Sequence, residues 1–325
     1  MEKIITSLQQ EIEDFILTLA AEIGNKKPEN LYLPIRYTLS QKGKRIRPLL
    51  TLLSGLAFEA NKKHLLLAGA AIETFHNFTL IHDDIMDNAP LRRGLPTVFQ
   101  KWNSNIAILS GDAMLIYAYQ LFHRIASADV VEMISRFNEI ALEVCEGQQL
   151  DMDFSEHQNI TKFDYLEMIR KKTAVLPAFA LWAGGKLGQA PENDLKLLFD
   201  IGINLGLAFQ IKDDWLDVFG DNETGKSIGG DLKEKKKTIV YFTALEKLKT
   251  SEKEQFIEQF HQINSNKDIQ EMIFFLKRNQ IDQTVNEEVN RYTNETLKNI
   301  QQLSVKNVFT ESLQKVTNNL INRNK

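Results

Sequence analysis

The sequence predicts an all-α protein, and three observations point to that class. Apolar residues recur at three- and four-residue spacing through most of the 325 residues, as helices with a buried face require. Only 7 prolines and 16 glycines interrupt this pattern. No window of the sequence alternates apolar and polar residues as a half-buried strand does. Because no Pro-rich or Gly/Ser-rich linker divides the chain, we expect a single domain over residues 1–325.

Helices are predicted along the whole chain. The segments 62–88, 162–186 and 192–220 are long and apolar on more than one face, which is typical of central helices surrounded by others. The first helix is amphipathic and acidic, unlike a signal peptide or a membrane span, so we expect a cytoplasmic protein. The predicted helices are 3–23, 31–40, 47–58, 62–88, 104–124, 129–153, 162–186, 192–220, 236–248, 252–263, 267–276, 279–302 and 305–320.

The composition argues against several classes of partner and site. The chain has 39 basic and 43 acidic residues, and its net charge of −4 creates no overall field that would attract nucleic acid or an anionic membrane surface. Any polyanion must therefore be bound locally. The single cysteine, Cys145, excludes an internal disulfide framework and a cysteine-rich zinc site.

Two segments, each at the end of a long apolar stretch, share the pattern DDxxD. Their acidic residues are Asp83, Asp84 and Asp87 in the first segment, and Asp213, Asp214 and Asp217 in the second. Residues four apart lie on the same face of a helix, so the outer carboxylates of each segment converge and repel. One copy would be interpreted as a solvated helix end, but two copies 130 positions apart favour cation sites. Carboxylates without His or Cys partners are typical of Mg²⁺ sites.

Basic residues cluster in short, irregular segments. These segments are residues 43–48, 92–93, 172–173, 224–226 and 233–237. Arginine forks and lysine charges bind phosphate oxygens, and Pro48 suits the first turn of a helix, whose N-terminus favours anions. Each cluster by itself is more typical of a solvated surface. Their occurrence together with the aspartates indicates diphosphate binding.

In this order, the segments from about residue 40 to residue 240 resemble the trans-isoprenyl diphosphate synthases, which make farnesyl, geranylgeranyl and longer polyprenyl diphosphates. The DDxxD segments resemble the first and second aspartate-rich motifs of that family. Residues 147–151, with the sequence GQQLD, match a further family segment in which Gln148 and Asp151 face the metal ions. The resemblance implies a bundle of long helices around a central crevice and a homodimer.

The resemblance also implies a role for each matching residue. The metal ligands would be the six aspartates of the two motifs, holding about three Mg²⁺ ions. Isopentenyl diphosphate would be held by Gly43, Lys44, Arg47, His76 and Arg93. The allylic diphosphate would be held by Arg92, Lys172, Lys226 and Lys236, and Thr173 and Gln210 also occupy matching positions. Without the resemblance, His76 would be interpreted as a core histidine.

The implied reaction begins with ionisation of the allylic diphosphate, stabilised by the metal ions and basic residues. The double bond of isopentenyl diphosphate then attacks the carbocation, and a proton is lost to the released diphosphate by analogy with the family. The residues expected to act directly in catalysis are Asp83, Asp87, Asp213 and Lys172.

The product is expected to be of farnesyl or geranylgeranyl length (C15–C20), with geranylgeranyl diphosphate preferred. Phe78 and Thr79 lie five and four residues before Asp83, about one helical turn away. In the family, a bulky residue at the position of Phe78 is similar to geranylgeranyl-type synthases, and its ring could close the tunnel for the growing chain. Phe78 could equally be ordinary core packing. The floor would then be formed elsewhere, at Tyr117, Tyr119 or Phe122.

Two positions depart from the family pattern. Lys235 stands where the family commonly has glycine, and Val240 stands where it commonly has proline, which puts the shape of that loop in doubt.

The alternative functions are those of a longer-chain synthase and of a non-catalytic partner subunit, although such a subunit would be expected to lack an acidic motif. A terpene cyclase would not need the second diphosphate pocket.

Overall fold

The computed structural model describes residues 1–156, 159–220 and 228–321. Within these ranges the regular secondary structure is helical apart from one short hairpin, which confirms the predicted all-α class. The first helices are α1 Glu2–Gly24, α2 Glu29–Leu39, α3 Ile46–Ala57, α4 Lys62–Met86, α5 Val98–Lys101 and α6 Ser104–His123. The following helices are α7 Val130–Glu156, α8 Lys162–Ile169, α9 Val175–Leu187, α10 Glu192–Phe219, α11 Gly230–Lys233, α12 Ile239–Lys247, α13 Thr250–Gln262, α14 Asn266–Arg278, α15 Ile281–Gln302 and α16 Val308–Ile321.

The long helices lie close to their predicted ranges, and the differences are local. The predicted helix 162–186 is interrupted by a π-helical segment, Arg170–Ala174, between α8 and α9. A π-turn adds a residue without ending the apolar pattern, so helical spacing alone does not reveal it. The hairpin of β1 (Leu91–Arg92) and β2 (Leu95–Pro96) was not predicted, because strands of two residues are too short to alternate.

The chain forms two compact units, and the prediction of a single domain stays a prediction. Unit 1 comprises Met1–Phe137, Phe179–Leu198 and Ser304–Leu313. In its core, α4 packs against α3 and α6. The Phe137 ring lies 5.0 Å from the Phe75 ring, 5.1 Å from the Phe122 ring and 5.7 Å from the Phe179 ring. These four side chains are fully buried and pack the middle of α4, at Phe75, against the core of the unit.

Unit 2 comprises Asn138–Ala178, Phe199–Leu303 and Gln314–Lys325. Its aromatic core is centred on Tyr241 of α12, whose ring lies 4.8 Å from Phe260 and 5.5 Å from Phe256. Phe242 packs on Tyr165 of α8, at 5.7 Å between ring centroids. None of the helices in the described ranges is long and apolar enough to cross a membrane.

Candidate active site

The first acidic motif lies at the C-terminal end of α4 in unit 1. Arg92 donates from Nε to Asp84 Oδ1 at 2.7 Å and from Nη2 to Asp83 Oδ2 at 3.4 Å, while Asp87 follows the last helical residue. Burial raises the pKa of Asp84, and the charge of Arg92 opposes that rise. Arg92 therefore neutralises part of the negative charge on the neighbouring carboxylates of Asp83 and Asp84.

The hairpin positions Arg92 and Arg93. Its two turn residues, Arg93 (φ 54°) and Gly94 (φ 77°), both have left-handed backbones, the combination that two-residue hairpins of type I′ require. The Arg93 side chain donates from Nη1 to the Lys42 carbonyl at 3.2 Å. A Cβ atom on Gly43 would lie 2.8 Å from the same nitrogen, so glycine lets the Arg93 guanidinium rest against this loop.

Arg47, His76 and Arg93 form a basic group beside the hairpin. Burial lowers the pKa of His76 well below its ordinary value, and the charges of Arg47 and Arg93 lower it further, so the imidazole is neutral near pH 7. Burial, together with the charge of Arg93, lowers the pKa of Arg47 to about 10 despite attraction from Glu73. Within the described part of the chain, the buried Nε of Arg47 has no hydrogen-bond partner. The group therefore has spare positive charge and an unused donor.

Lys44, which was also expected to bind isopentenyl diphosphate, is exposed in the loop before α3. A pocket in the same unit is lined by Gln41, Asn77, Asp84, Arg92 and Arg93, among others. Arg45, which the sequence places among the basic residues of the same loop, is instead buried in ion pairs with Glu13 and Glu73. Only part of this basic segment is therefore accessible to an anion.

The residues expected to set product length lie on α4. The Phe78 ring is half-buried and lies 4.8 Å from the His82 ring and 5.6 Å from the Phe75 ring. Thr79 donates to the carbonyl of His76 at 2.8 Å. Among the alternatives on α6, Tyr119 and Phe122 pack on Phe137, while Tyr117 accepts a hydrogen bond from Lys26 at 2.7 Å.

The second acidic motif lies near the end of α10 in unit 2. Asp214 is buried, and it accepts hydrogen bonds from the Tyr165 hydroxyl and from Gln210 Nε2, the latter at 3.0 Å. Burial and the charge of Asp231 raise the pKa of Asp214 to about 8. Thr173 donates to Gln210 Oε1 at 3.2 Å, so the π-helical segment and α10 are joined through these polar side chains.

The π-helical segment also carries Lys172, whose Nζ lies 2.6 Å from Asp151 Oδ2. A Cβ on Gly147 would lie 2.3 Å from the backbone nitrogen of Lys172, so α7 approaches this segment as closely as only glycine permits. The buried Nε2 of Gln148 has no partner among the described residues. Residues 147–151 and the π-helical segment therefore form one polar cluster in unit 2.

Asp231, which the sequence analysis missed, lies beside Asp217. Its backbone nitrogen donates to Asp217 Oδ2 at 2.8 Å, and burial and the Asp217 charge raise its pKa to about 7. Burial by itself would lower the pKa of Lys236. A hydrogen bond to Glu234 and the charges of Glu234, Asp231 and Asp151 outweigh burial and raise that pKa. The adjacency of Asp231 to the basic run 233–237 was a signal that could have identified it, whereas nothing in the sequence indicated Tyr165.

The donors in both acidic motifs are carboxylate oxygens, which fit Mg²⁺ in chemical type. In unit 1, Asp83 and Asp84 already share a cation, the Arg92 guanidinium. Among the described residues, no three Asp, Glu, His or Cys side chains are arranged to hold one metal ion. Lys226, expected to bind the allylic diphosphate, lies outside the described residues.

Comparison with known proteins identifies the family. The model of the polyprenyl synthetase family matches residues 28–276. The geranylgeranyl diphosphate synthase of Methanosarcina mazei is 41% identical over 250 residues, covering 71% of this chain and 77% of that protein. The short chain isoprenyl diphosphate synthase of Methanothermobacter thermautotrophicus is 40% identical over 237 residues, covering 72% of this chain and 73% of that protein.

Solved structures agree. A crystal structure of geranylgeranyl pyrophosphate synthase superposes with a TM-score of 0.91 at 40% identity, covering 98% of each chain. The resemblance to the trans-isoprenyl diphosphate synthases is thereby confirmed, and so is the predicted enzyme class, an isoprenyl diphosphate synthase. The chain belongs to the polyprenyl synthetase family.

Proposed function

We propose that this enzyme condenses isopentenyl diphosphate with an allylic diphosphate and releases geranylgeranyl diphosphate. The observation that carries the proposal is the basic group of Arg47, His76 and Arg93. This group has positive charge available for an anion, and it is distinct from the carboxylates that would bind a metal ion. An enzyme that joins two diphosphates needs such a second anion site, whereas a cyclase does not.

Isopentenyl diphosphate would bind to Gly43, Lys44, Arg47, His76 and Arg93. The unpartnered Nε of Arg47 would donate to a phosphate oxygen, and the Arg93 fork would hold the same group. His76 would donate a hydrogen bond to the diphosphate, whose negative charge would raise its low pKa. These contacts orient the double bond of isopentenyl diphosphate toward the allylic carbon and so supply part of the rate enhancement.

By family resemblance, each DDxxD motif would supply metal ligands for binding the allylic diphosphate. Asp83, Asp84, Asp87, Asp213, Asp214 and Asp217 would hold Mg²⁺, about three ions by family resemblance, which would stabilise charge on the departing diphosphate. Lys172, Arg92, Lys226 and Lys236 would contribute fixed positive charge to the same leaving group, aided by Thr173 and Gln210. We assign no side-chain base, because the released diphosphate can accept the proton.

The product assignment rests on the relatives and on Phe78. Proteins about 40% identical to this chain bear the names geranylgeranyl diphosphate synthase and short chain isoprenyl diphosphate synthase. A half-buried phenyl ring about one helical turn before Asp83 is suited to close a tunnel at that length. We further propose that the enzyme is cytoplasmic and works as a homodimer; light scattering of the purified protein would test the dimer.

A direct assay tests the reaction and the product. The purified protein would be incubated with Mg²⁺, isopentenyl diphosphate and, separately, dimethylallyl, geranyl or farnesyl diphosphate, and the dephosphorylated alcohols would be sized. We expect geranylgeraniol from all three starters. Longer alcohols would favour a long-chain synthase, and no product in any reaction would favour a non-catalytic partner subunit.

Two variants test the metal ligands in the same assay. Asp83→Ala and Asp213→Ala should reduce turnover by orders of magnitude, because each removes a ligand that stabilises leaving-group charge. Helicity measured by circular dichroism should be unchanged. Asp14→Ala, on the exposed face of α1, is the matched control and should retain wild-type turnover. Near wild-type activity of either motif variant would contradict the assignment.

A further inference from the structure

A buried ion pair between Arg45 and Glu73 in unit 1 adjoins the loop that carries Gly43 and Lys44. Arg45 Nη1 lies 3.0 Å from Glu73 Oε1, and the two residues are only 4% and 3% exposed. A buried charge pair is maintained only where its remaining donors and acceptors are satisfied. Arg45 meets that condition with four hydrogen bonds.

The other bonds of Arg45 join three parts of the unit. Its Nε donates to Glu13 of α1 at 3.0 Å, and its Nη2 donates to the carbonyls of Leu39 and Gln41 at 2.6 and 2.8 Å. Leu39 is the last residue of α2, and Glu73 lies in α4. The side chain therefore closes the loop 39–45 on itself and fastens it to two helices.

The backbone of Arg45 has a conformation that its side chain must help to maintain. Its φ of 45° and ψ of 42° lie in the left-handed region, which is unfavourable for residues other than glycine. This residue precedes the first turn of α3, where Arg47 lies. The direction of the chain between Lys44 and Arg47 thus depends on a strained residue held by its own ion pairs.

The loop also determines where Arg93 lies. The Lys42 carbonyl accepts a hydrogen bond from Arg93, and the Arg93 guanidinium rests against Gly43. A shift of residues 42–43 would therefore move a residue of the proposed isopentenyl diphosphate site. Arg45 itself is too deeply buried to touch that substrate.

Glu73 has two effects on an anion bound nearby, and they have opposite signs. Its charge attracts Arg47 and Arg93, favouring their protonated forms, and it lies on α4 one turn before His76. As a negative charge it would repel a diphosphate, so its loss would strengthen anion binding. As the anchor of Arg45 it would hold the loop in place, so its loss would weaken binding.

We propose that Arg45 and Glu73 are positioning residues that hold Gly43, Lys44, Arg47 and Arg93 in the arrangement that binds isopentenyl diphosphate. The inference rests on the proposed function. Anchoring outweighs repulsion here, because Glu73 accepts one of the four bonds that hold the Arg45 side chain, whereas its negative charge is already compensated by Arg45 at 3.0 Å.

The test is a steady-state comparison with each substrate varied in turn. Glu73→Gln should raise KM for isopentenyl diphosphate by about tenfold and leave KM for the allylic diphosphate within about twofold. Arg45→Lys keeps the charge but loses the planar fork, and it should act in the same direction. A fall in KM for isopentenyl diphosphate in Glu73→Gln would show that Glu73 acts only as a repelling charge and would overturn the proposal.

A milder pair of variants guards against misfolding. Glu13→Gln removes the negative charge of one half-buried acceptor of Arg45, which weakens that bond, and should raise the same KM by about threefold. Glu11→Gln is the matched control, because Glu11 lies on the same helix but pairs with Lys62 in an exposed ion pair. It should be unchanged. An unfolded fraction lowers apparent kcat without changing KM, so the readout does not depend on full folding.

The outcomes separate this proposal from the proposed function. If the wild-type protein makes no prenyl product, the proposed function fails, whatever the variants do. If the wild-type protein is active and Glu13→Gln and Glu73→Gln both retain its KM for isopentenyl diphosphate, the positioning role alone is overturned.

Discussion

Three basic residues near the candidate site have left-handed backbones: Arg45 at φ 45°, Arg93 at φ 54° and Lys235 at φ 57°. This conformation costs a residue with a Cβ roughly 1–2 kcal/mol. Arg45 and Arg93 both make hydrogen bonds from their side chains, so replacement by glycine would remove useful contacts. Lys235 stands where the family commonly has glycine, and its backbone explains that preference.

Replacing Lys235 by glycine should therefore stabilise the protein. Relief of the left-handed strain, less the entropy that glycine adds to the unfolded chain, leaves about 0.5–1 kcal/mol. Thermal unfolding should show a higher Tm. Lys233→Gly, at the end of α11, is the control and should lower Tm, since glycine there only weakens a helix. A lower Tm for Lys235→Gly would contradict the explanation.

Phe78→Ala should lengthen the product by about one isoprene unit, because it removes a ring about one helical turn from the acidic motif. Product sizing with farnesyl diphosphate as starter is the measurement. Phe163→Ala, which alters a phenylalanine that is 76% exposed, is the control and should give the wild-type product. An unchanged product together with a reduced Tm would assign Phe78 to core packing and move the tunnel floor to α6.

At the scale of elements, the π-helical segment Arg170–Ala174 interrupts an otherwise regular helical run and carries two candidate site residues. Its residues Lys172 and Thr173 contact Asp151 of α7 and Gln210 of α10. Single π-turns are uncommon and often occur at functional sites. The close approach of α7 to Lys172 depends on the missing side chain of Gly147.

Gly147→Ala should displace the π-helical segment, because the new methyl group would meet backbone atoms that cannot rotate away. We expect a loss of stability of about 1–3 kcal/mol and a fall in kcat of about tenfold or more. KM for isopentenyl diphosphate should change little. The control Ser135→Ala changes an exposed residue of the same helix and should be silent. Wild-type kcat in Gly147→Ala would show that the position of Lys172 is unimportant.

At the scale of the whole molecule, near-neutral net charge conceals strong local charge. The acidic and basic groups of each unit shift one another's pKa values. For Asp214 and Asp231, burial is the largest cause and makes the pKa shift upward. Their pKa values of about 8 and about 7 exceed the ordinary 3.8, so the folded protein holds protons that the unfolded chain has released.

Stability of the metal-free protein should therefore fall as pH rises from about 4 to about 8. Differential scanning fluorimetry should show a Tm about 5 °C lower near pH 8 than near pH 6, and Mg²⁺ should reverse the loss by favouring the ionised carboxylates. Asp214→Asn should flatten the pH dependence. An equal fall of Tm in that variant would show that other groups control it.

Much of the fold and the site could be predicted from the sequence, because the relevant patterns are local. Helical spacing identified the long helices, and the DDxxD spacing brought Asp83 and Asp213 to attention without knowledge of their neighbours. The hairpin, α5 and α11 were missed because two to four residues carry no periodic signal. Arg45 was grouped with accessible cations, because sequence does not reveal burial.

By itself, the sequence determined the all-α class, the family and the order of acidic and basic segments, since these depend on residue type and spacing along the chain. The tertiary structure decided which charges are compensated. Tyr165 meets Asp214 across 49 positions, and Arg45 meets Glu73 across 28. Such pairs depend on how helices pack, and burial then sets the pKa of Asp214 and leaves Arg47 with an unused donor.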